Sequence, residues 1–149
     1  TVRYETKEAA GTIIVDPANY FVYRIEGDGL ATRYGANVSR PGFLWSGEVY
    51  VGRKADWPTW TPPKEMIARQ PEARKYAGGM PGGLDNPLGD RVLYLYKNGV
   101  YTVYTIYSTS DPETIGTGIT SGCTGLLSQD MIHLYSRTPV KTKVIMLPA

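Results

Sequence analysis

The chain has 149 residues, 42% of them hydrophobic and 20% charged, a globular balance at the size of one domain, 1–149. Sixteen Lys and Arg against 14 Asp and Glu leave a net charge of +2, too even for the basic patch that nucleic acid demands. No apolar run reaches the 18 residues of a membrane span, and one cysteine beside one histidine excludes an internal disulfide and a zinc site of thiolate and imidazole ligands.

Thr1–Ala10 is polar and charged and does not read as a signal peptide, so the expectation is either a cytosolic protein or a mature form. Twelve Tyr, 17 Gly and 11 Pro favour strands and shaped loops over helices. Strands are predicted at Thr12–Val15, Tyr20–Ile25, Leu30–Asn37 and Gly47–Gly52. Glu26-Gly27-Asp28-Gly29 supplies residues that accept positive φ, so the second and third strands form a hairpin.

The stretch 53–90 differs from the rest. It carries Trp57, Trp60, several prolines and the glycine-rich run Gly78–Gly83. A loop of this length in a small domain is a structured surface insertion or a lid over a cleft, and the sequence leaves both open. Within it, Pro62–Arg69 reads as a short helix opened by proline. Strands resume at Arg91–Tyr96 and Tyr101–Tyr107, joined by a second hairpin turn at Lys97-Asn98-Gly99. A helix is predicted from Ser128, as its N-cap, to about Tyr135, with Met131, Leu134 and Tyr135 inward and His133 toward solvent. Lys141–Leu147 closes the chain as a strand. The fold class is mainly β with short helices.

The segment with chemistry in it runs from Tyr104 to Cys123: a strand, a loop, then Ser121-Gly122-Cys123 ahead of a helix. Small residues beside a thiol let a substrate approach the backbone, and successive N–H groups can form an oxyanion hole. A lone cysteine is equally a small buried apolar residue, and this feature by itself does not decide between the two.

Pro112, Ile115, Gly116, Ser121, Gly122 and Cys123 stand in register with the signature of the L,D-transpeptidase (YkuD-like) family. Ser39-Arg40-Pro41-Gly42-Phe43, Trp45-Ser46-Gly47, Trp57–Pro63 and Asn86-Pro87-Leu88-Gly89 are similar to its flanks, so the resemblance covers about 12–147. It implies an L,D-transpeptidase-type β-sandwich with a lid-like insertion at about 53–90. It implies Cys123 as nucleophile, Gly122, Ser121 and Ser108 as oxyanion or supporting residues, and Trp57 and Trp60 at a cleft or lid. The implied substrates are peptidoglycan stem peptides, with acylation by carbapenem β-lactams, no cofactor, and a place in the periplasm or cell envelope.

The sequence departs from that pattern on both sides of the cysteine, and Thr124 stands where the family has Ile or Val. Tyr107-Ser108-Thr109 stands where the family has His-Gly-Thr or His-Gly-Ser, so Tyr107 occupies the place of the base histidine. Gly125 stands where the family has arginine two residues after the cysteine. A phenol ionising near pH 10 is a poor base at neutral pH, so Tyr107 is expected to fill the imidazole's space with a satisfied hydroxyl. Arg40, Arg53 and Arg91 are the cations available to compensate for the arginine, and each otherwise reads as a surface charge. Two functions follow as expectations: a working or weakened L,D-transpeptidase, or a catalytically silent homologue that binds peptidoglycan or a partner protein.

Overall fold

Turn chemistry fixes the two hairpins. The computed structural model describes residues 1–57 and 89–149, together with Ala68. Asp28 and Gly29, at φ 55° and 73°, link β3 (Phe21–Gly27) to β4 (Leu30–Gly35). Asn98 and Gly99, at φ 52° and 79°, link β7 (Arg91–Lys97) to β8 (Val100–Ser108). Positive φ at both central residues is the twist that lets a two-residue turn close a hairpin.

The remaining strands are β1 (Val2–Arg3), β2 (Ile13–Asp16), β5 (Val38–Ser39), β6 (Gly47–Asp56), β9 (Gly118–Thr120), β10 (Thr124–Leu126) and β11 (Lys143–Met146). Nine strands share one sheet in the order β1-β4-β3-β2-β11-β6-β7-β8-β10, and β5 pairs with β9 apart from it. β11 runs parallel to β2, and β10 parallel to β8; the other neighbours in the sheet are antiparallel. The seven predicted strands are all present. β1, β5, β9 and β10 have only two or three residues each, too few to show an alternation in sequence.

The sheet does not lie flat. Seven strand spacings of about 4.8 Å would put β4 roughly 34 Å from β10. Yet Asn37, just beyond β4, pairs with Gly125 of β10, and Tyr34, Ala36, Ile106 and Leu126 share one buried core. The sheet therefore curls until its two sides face each other, and the expected sandwich takes the form of one mixed sheet folded over its own interior. Ile13, Val15, Val22, Val51, Leu93 and Val144 fill that interior with little or no exposure. Each such side chain contributes about 1.5–3 kcal/mol by leaving water.

Helix α1 (Ser128–Ser136) closes this core with Met131 and Leu134, both fully buried, and Tyr135 packs at its margin. Its cap differs from expectation. Leu127 holds the cap position without a side-chain hydrogen bond, and Ser128 is the first helical residue. The Ser128 hydroxyl donates instead to the Asp90 carboxylate, which ties the helix to the start of β7.

The first residues of the stretch predicted as an insertion are strand. Arg53–Asp56 continue β6, paired through Asp56↔Arg91, because Lys54 has a reason to stay in line. Its ammonium donates to the carbonyls of Tyr135 and Thr138 at 2.7 and 2.8 Å, where the helix end presents negative charge. The predicted helix Pro62–Arg69 and Trp60 lie outside the described residues, except that Ala68 is helical. Among the described residues no helix is long and apolar enough to cross a membrane.

Candidate functional site

Cys123 lies where β8, β9 and β10 converge. β10 begins one residue after it and pairs with the end of β8 through Thr124↔Ile106, Gly125↔Tyr107 and Leu126↔Ser108. Tyr107 and Gly125 are thus direct partners across one ladder.

The main chain on either side of the sulfur is pinned. Gly122 sits at φ 120°, a conformation that L side chains rarely adopt, and a Cβ there would lie 2.2 Å from the Tyr104 ring. Tyr104 stacks on Trp45 with centroids 4.7 Å apart and planes 11° from parallel. The Trp45 indole N–H donates to the Gly122 carbonyl at 2.8 Å. On the other side, the Thr120 hydroxyl donates to the Cys123 carbonyl at 2.5 Å.

A bulge in β8 forms the wall facing the thiol. The register passes from Tyr94↔Thr105 to Tyr96↔Tyr101, so Thr102, Val103 and Tyr104 stand against Leu95 alone. The Thr102 hydroxyl donates to the Leu95 carbonyl at 2.7 Å and accepts the Tyr104 N–H at 3.1 Å. Val103 takes φ 66°, unusual for a β-branched residue, with its side chain 68% exposed. The bulge points the Val103 carbonyl at Cys123, whose Sγ lies 3.9 Å away, at the long limit for a thiol hydrogen bond.

Cys123 keeps partial exposure at the surface, yet burial is the largest influence on its thiol and pushes the pKa up. The Thr105 hydroxyl and backbone N–H oppose that rise by favouring the thiolate. Burial also pushes the Tyr107 phenol up, against a lowering by Asn37 and with a smaller raising effect from Cys123. Tyr101 is pushed up to about 12, by burial first and by Cys123 next. Both phenols are therefore neutral at physiological pH, and neither is a base for the thiol.

Asn37 was not singled out from sequence, and it organises the region behind the cysteine. It is fully buried. Its Oδ1 accepts the Gly125 N–H at 2.7 Å, and its Nδ2 donates to the Thr114 hydroxyl at 2.9 Å and to the Tyr107 hydroxyl at 3.5 Å. Its own N–H donates to the Gly125 carbonyl at 2.9 Å. A Cβ on Gly125 would lie 2.5 Å from Asn37 Oδ1 and 2.7 Å from Nδ2. The space an arginine at 125 needs is occupied by this carboxamide. An asparagine between Ala36 and Val38 in an apolar stretch was the available sign, since a buried amide requires partners.

The other predicted residues are dispersed. Ser108 is buried, and its hydroxyl donates to the Asp90 carboxylate at 2.5 Å, so it braces the end of β8. Ser121 is exposed beside Gly122. Trp57 is 49% exposed, with its N–H donating to the Asp90 carbonyl at 2.8 Å. His133 is exposed on α1 with Nδ1 2.5 Å from the Tyr34 hydroxyl. Arg40, Arg53 and Arg91 stack on Phe43, Tyr94 and Tyr135 at 4.3, 3.9 and 5.6 Å.

Comparison with known proteins places the chain in a family. The family model of the YkuD L,D-transpeptidase catalytic domain matches residues 10–146. "Probable L,D-transpeptidase YbiS" of Escherichia coli (strain K12) is 35% identical over 95 residues, which are 63% of this chain and 29% of that protein. The chain spans less than half the length of such curated relatives. A solved structure named "Probable carnitine operon oxidoreductase caia", from Brucella melitensis, is 37% identical, covers 98% of this chain and 91% of its own, and superposes with a TM-score of 0.68. The L,D-transpeptidase LdtMt1 in complex with imipenem shares the fold at 14% identity, with a TM-score of 0.61 over 93% of this chain and 59% of its own.

Proposed function

This chain belongs to the L,D-transpeptidase catalytic-domain family, and from that membership we propose that it engages peptidoglycan stem peptides in the cell envelope at Cys123, with acyl transfer held slow at neutral pH. The Cys123 thiolate attacks the carbonyl of the L-to-D peptide bond of a tetrapeptide stem. An S–C bond forms and the C–N bond breaks as the departing D-residue's amine takes a proton from solvent; an acceptor amine then forms a new C–N bond, loses a proton to solvent, and the S–C bond breaks to return the thiolate.

One observation carries the slow part of this reading: the sulfur has a carbonyl, a hydroxyl and neutral phenols around it where an imidazole is needed. The sole histidine of the chain, His133, sits on α1 against Tyr34. Loss of a general base costs about 10²–10⁴ in rate. The raised thiol leaves even less thiolate at pH 7 than the few per cent of an ordinary cysteine. A second reading, a peptidoglycan binder without turnover, draws on Tyr107 and Gly125 together replacing both polar groups of the family pattern.

Carbapenem acylation followed by intact mass separates these. A group whose pKa is raised loses its proton only as pH climbs, so acylation should be slow at pH 7 and rise about tenfold per pH unit toward pH 9. Cys123→Ser should abolish the adduct. Rapid stoichiometric acylation at pH 7 would refute the slow reading. No adduct at either pH, with binding to sacculi retained, would leave the binder; loss of both would end the proposal.

A further inference from the structure

Thr105 is only 3% exposed, and its hydroxyl has no hydrogen-bond partner among the described residues. Buried polar groups are nearly always paired, so an orphan calls for a partner in another state of the site. The other orphan among the described residues is Arg24 Nε, whose guanidinium already pairs with Glu26. Thr105 has no such second contact. It ends the bulged segment of β8 against which the Cys123 sulfur rests, two residues past the Val103 carbonyl that lies 3.9 Å from Sγ.

We propose that Thr105 is a further catalytic residue of this site, its buried hydroxyl donating to the Cys123 sulfur once the thiol has lost its proton. In the thiol state the sulfur is a weak acceptor and the hydroxyl idles. In the thiolate state a full negative charge appears beside it, and the hydroxyl turns to it as a charge-assisted donor. The direction of the thiol's response to Thr105 agrees: both its hydroxyl and its N–H favour the charged form. Among the described residues, the titratable groups facing the sulfur are Tyr101 and Tyr107 of β8, both uncharged at neutral pH. Arg53, stacked on Tyr94, acts on Tyr101 and not on the thiol. β10 and the segment from Thr120 to Gly122 bring no charged side chain.

The proton balance is simple. The thiol proton goes to solvent hydroxide, and Thr105 keeps its own proton throughout. The sulfur then forms its S–C bond while the bond to the leaving group breaks. This assignment rests on Cys123 as the reactive group, but its test needs no cell-wall substrate.

The experiment is the pH profile of Cys123 alkylation by iodoacetamide, in which the S–C bond forms as iodide leaves. Thr105→Val is nearly isosteric and removes only the donor. Its midpoint should move up by about one pH unit, with about tenfold slower alkylation below the midpoint. Thr105→Ser should restore the parent profile. In the unaltered chain, the Thr105 amide resonance should titrate with the thiol midpoint and lose that step in Cys123→Ser. An unshifted midpoint in folded Thr105→Val, or a serine variant that behaves like valine, would overturn the proposal. So would a Thr105 amide that stays flat across the midpoint, a reading that holds whether or not the valine variant folds. Altered alkylation with no effect on carbapenem acylation would separate this role from the cell-wall reading.

Discussion

The β7–β8 hairpin turn and the Cys123 corner lie a few residues apart along the same strand, β8, and obey different rules. At the turn, positive φ falls on Asn98 and Gly99, the residues that tolerate it, and a Cβ on Gly99 would meet nothing within 4 Å. Around Cys123, positive φ falls on Val103, and Gly122 is hemmed in by an aromatic ring. A hydroxyl stands orphaned, and an asparagine is buried behind a glycine. The turn is built for stability by local preference alone. The corner departs from local preference several times within a few residues, and such departures persist where the surroundings over-determine them and a function depends on the result.

The contrast breaks most sharply at its two glycines. Gly122→Ala adds a Cβ at 2.2 Å from the Tyr104 ring on top of an unfavourable φ, in a loop held by Trp45 and Thr120. Its cost is expected at about 3 kcal/mol or more, with loss of Cys123 alkylation. Gly99→Ala meets only the backbone cost, about 1 kcal/mol, and leaves alkylation intact. Urea denaturation of both variants checks the difference, and equal costs would show that the corner is no more constrained than an open turn.

The same contrast governs how much the sequence disclosed. The regular half was legible: the strand at Arg91–Tyr96, the two hairpin turns and the buried Met131 and Leu134 of α1 all follow from β-rich composition, turn chemistry and helical periodicity, although Val92–Leu95 are buried on both faces. The family resemblance drew attention to Cys123 and to positions 107 and 125. It did not disclose that these two positions pair across β8 and β10, because parallel pairing of three-residue strands leaves no periodic trace. Asn37 and Thr105 were invisible for a related reason. Asn37 meets Gly125 88 residues on, and the Ile106↔Thr124 pairing, 18 residues apart, brings Thr105 to the start of β10, so only the curled sheet joins these segments. The capping expectation at Ser128 failed because Ser128 is itself the first helical residue, and its hydroxyl donates to the Asp90 carboxylate instead of accepting from the helix's N–H groups.

Position 125 sharpens the comparison next. The family arginine cannot simply be restored, since Asn37 Oδ1 and Nδ2 already fill the space where its first side-chain atom would go. Gly125→Arg alone is expected to cost about 2–3 kcal/mol through overpacking and the displaced amide. Asn37→Gly alone should cost a similar amount by deleting the bonds to Gly125, Thr114 and Tyr107. The combined variant should recover part of that loss, with a coupling of about 1–2 kcal/mol in a double-mutant cycle. Strict additivity would mean that the two residues do not compete for one volume. Tyr107→His is expected to raise acylation only on the combined background, because an imidazole beside the intact Asn37 network has no arginine next to it on β10.

Val103 offers the smallest and most discriminating change. Its side chain is 68% exposed, so shortening it forfeits little burial, while its φ of 66° is a conformation that costs a β-branched residue about 1–2 kcal/mol. Glycine accepts that φ without strain but has more freedom to lose on folding, which returns roughly half of the gain. Val103→Gly is therefore expected to stabilise the domain by about 0.5–1 kcal/mol in urea denaturation. If the strained carbonyl also holds the thiol in place, the same variant should slow Cys123 alkylation although the fold has become more stable. Stability and reactivity moving in opposite directions would separate the corner from the turn, where Asn98→Gly has no thiol to misplace. Stability and reactivity rising together would show that the bulge is an ordinary bend in β8, and that the wall facing Cys123 owes nothing to the strain at Val103.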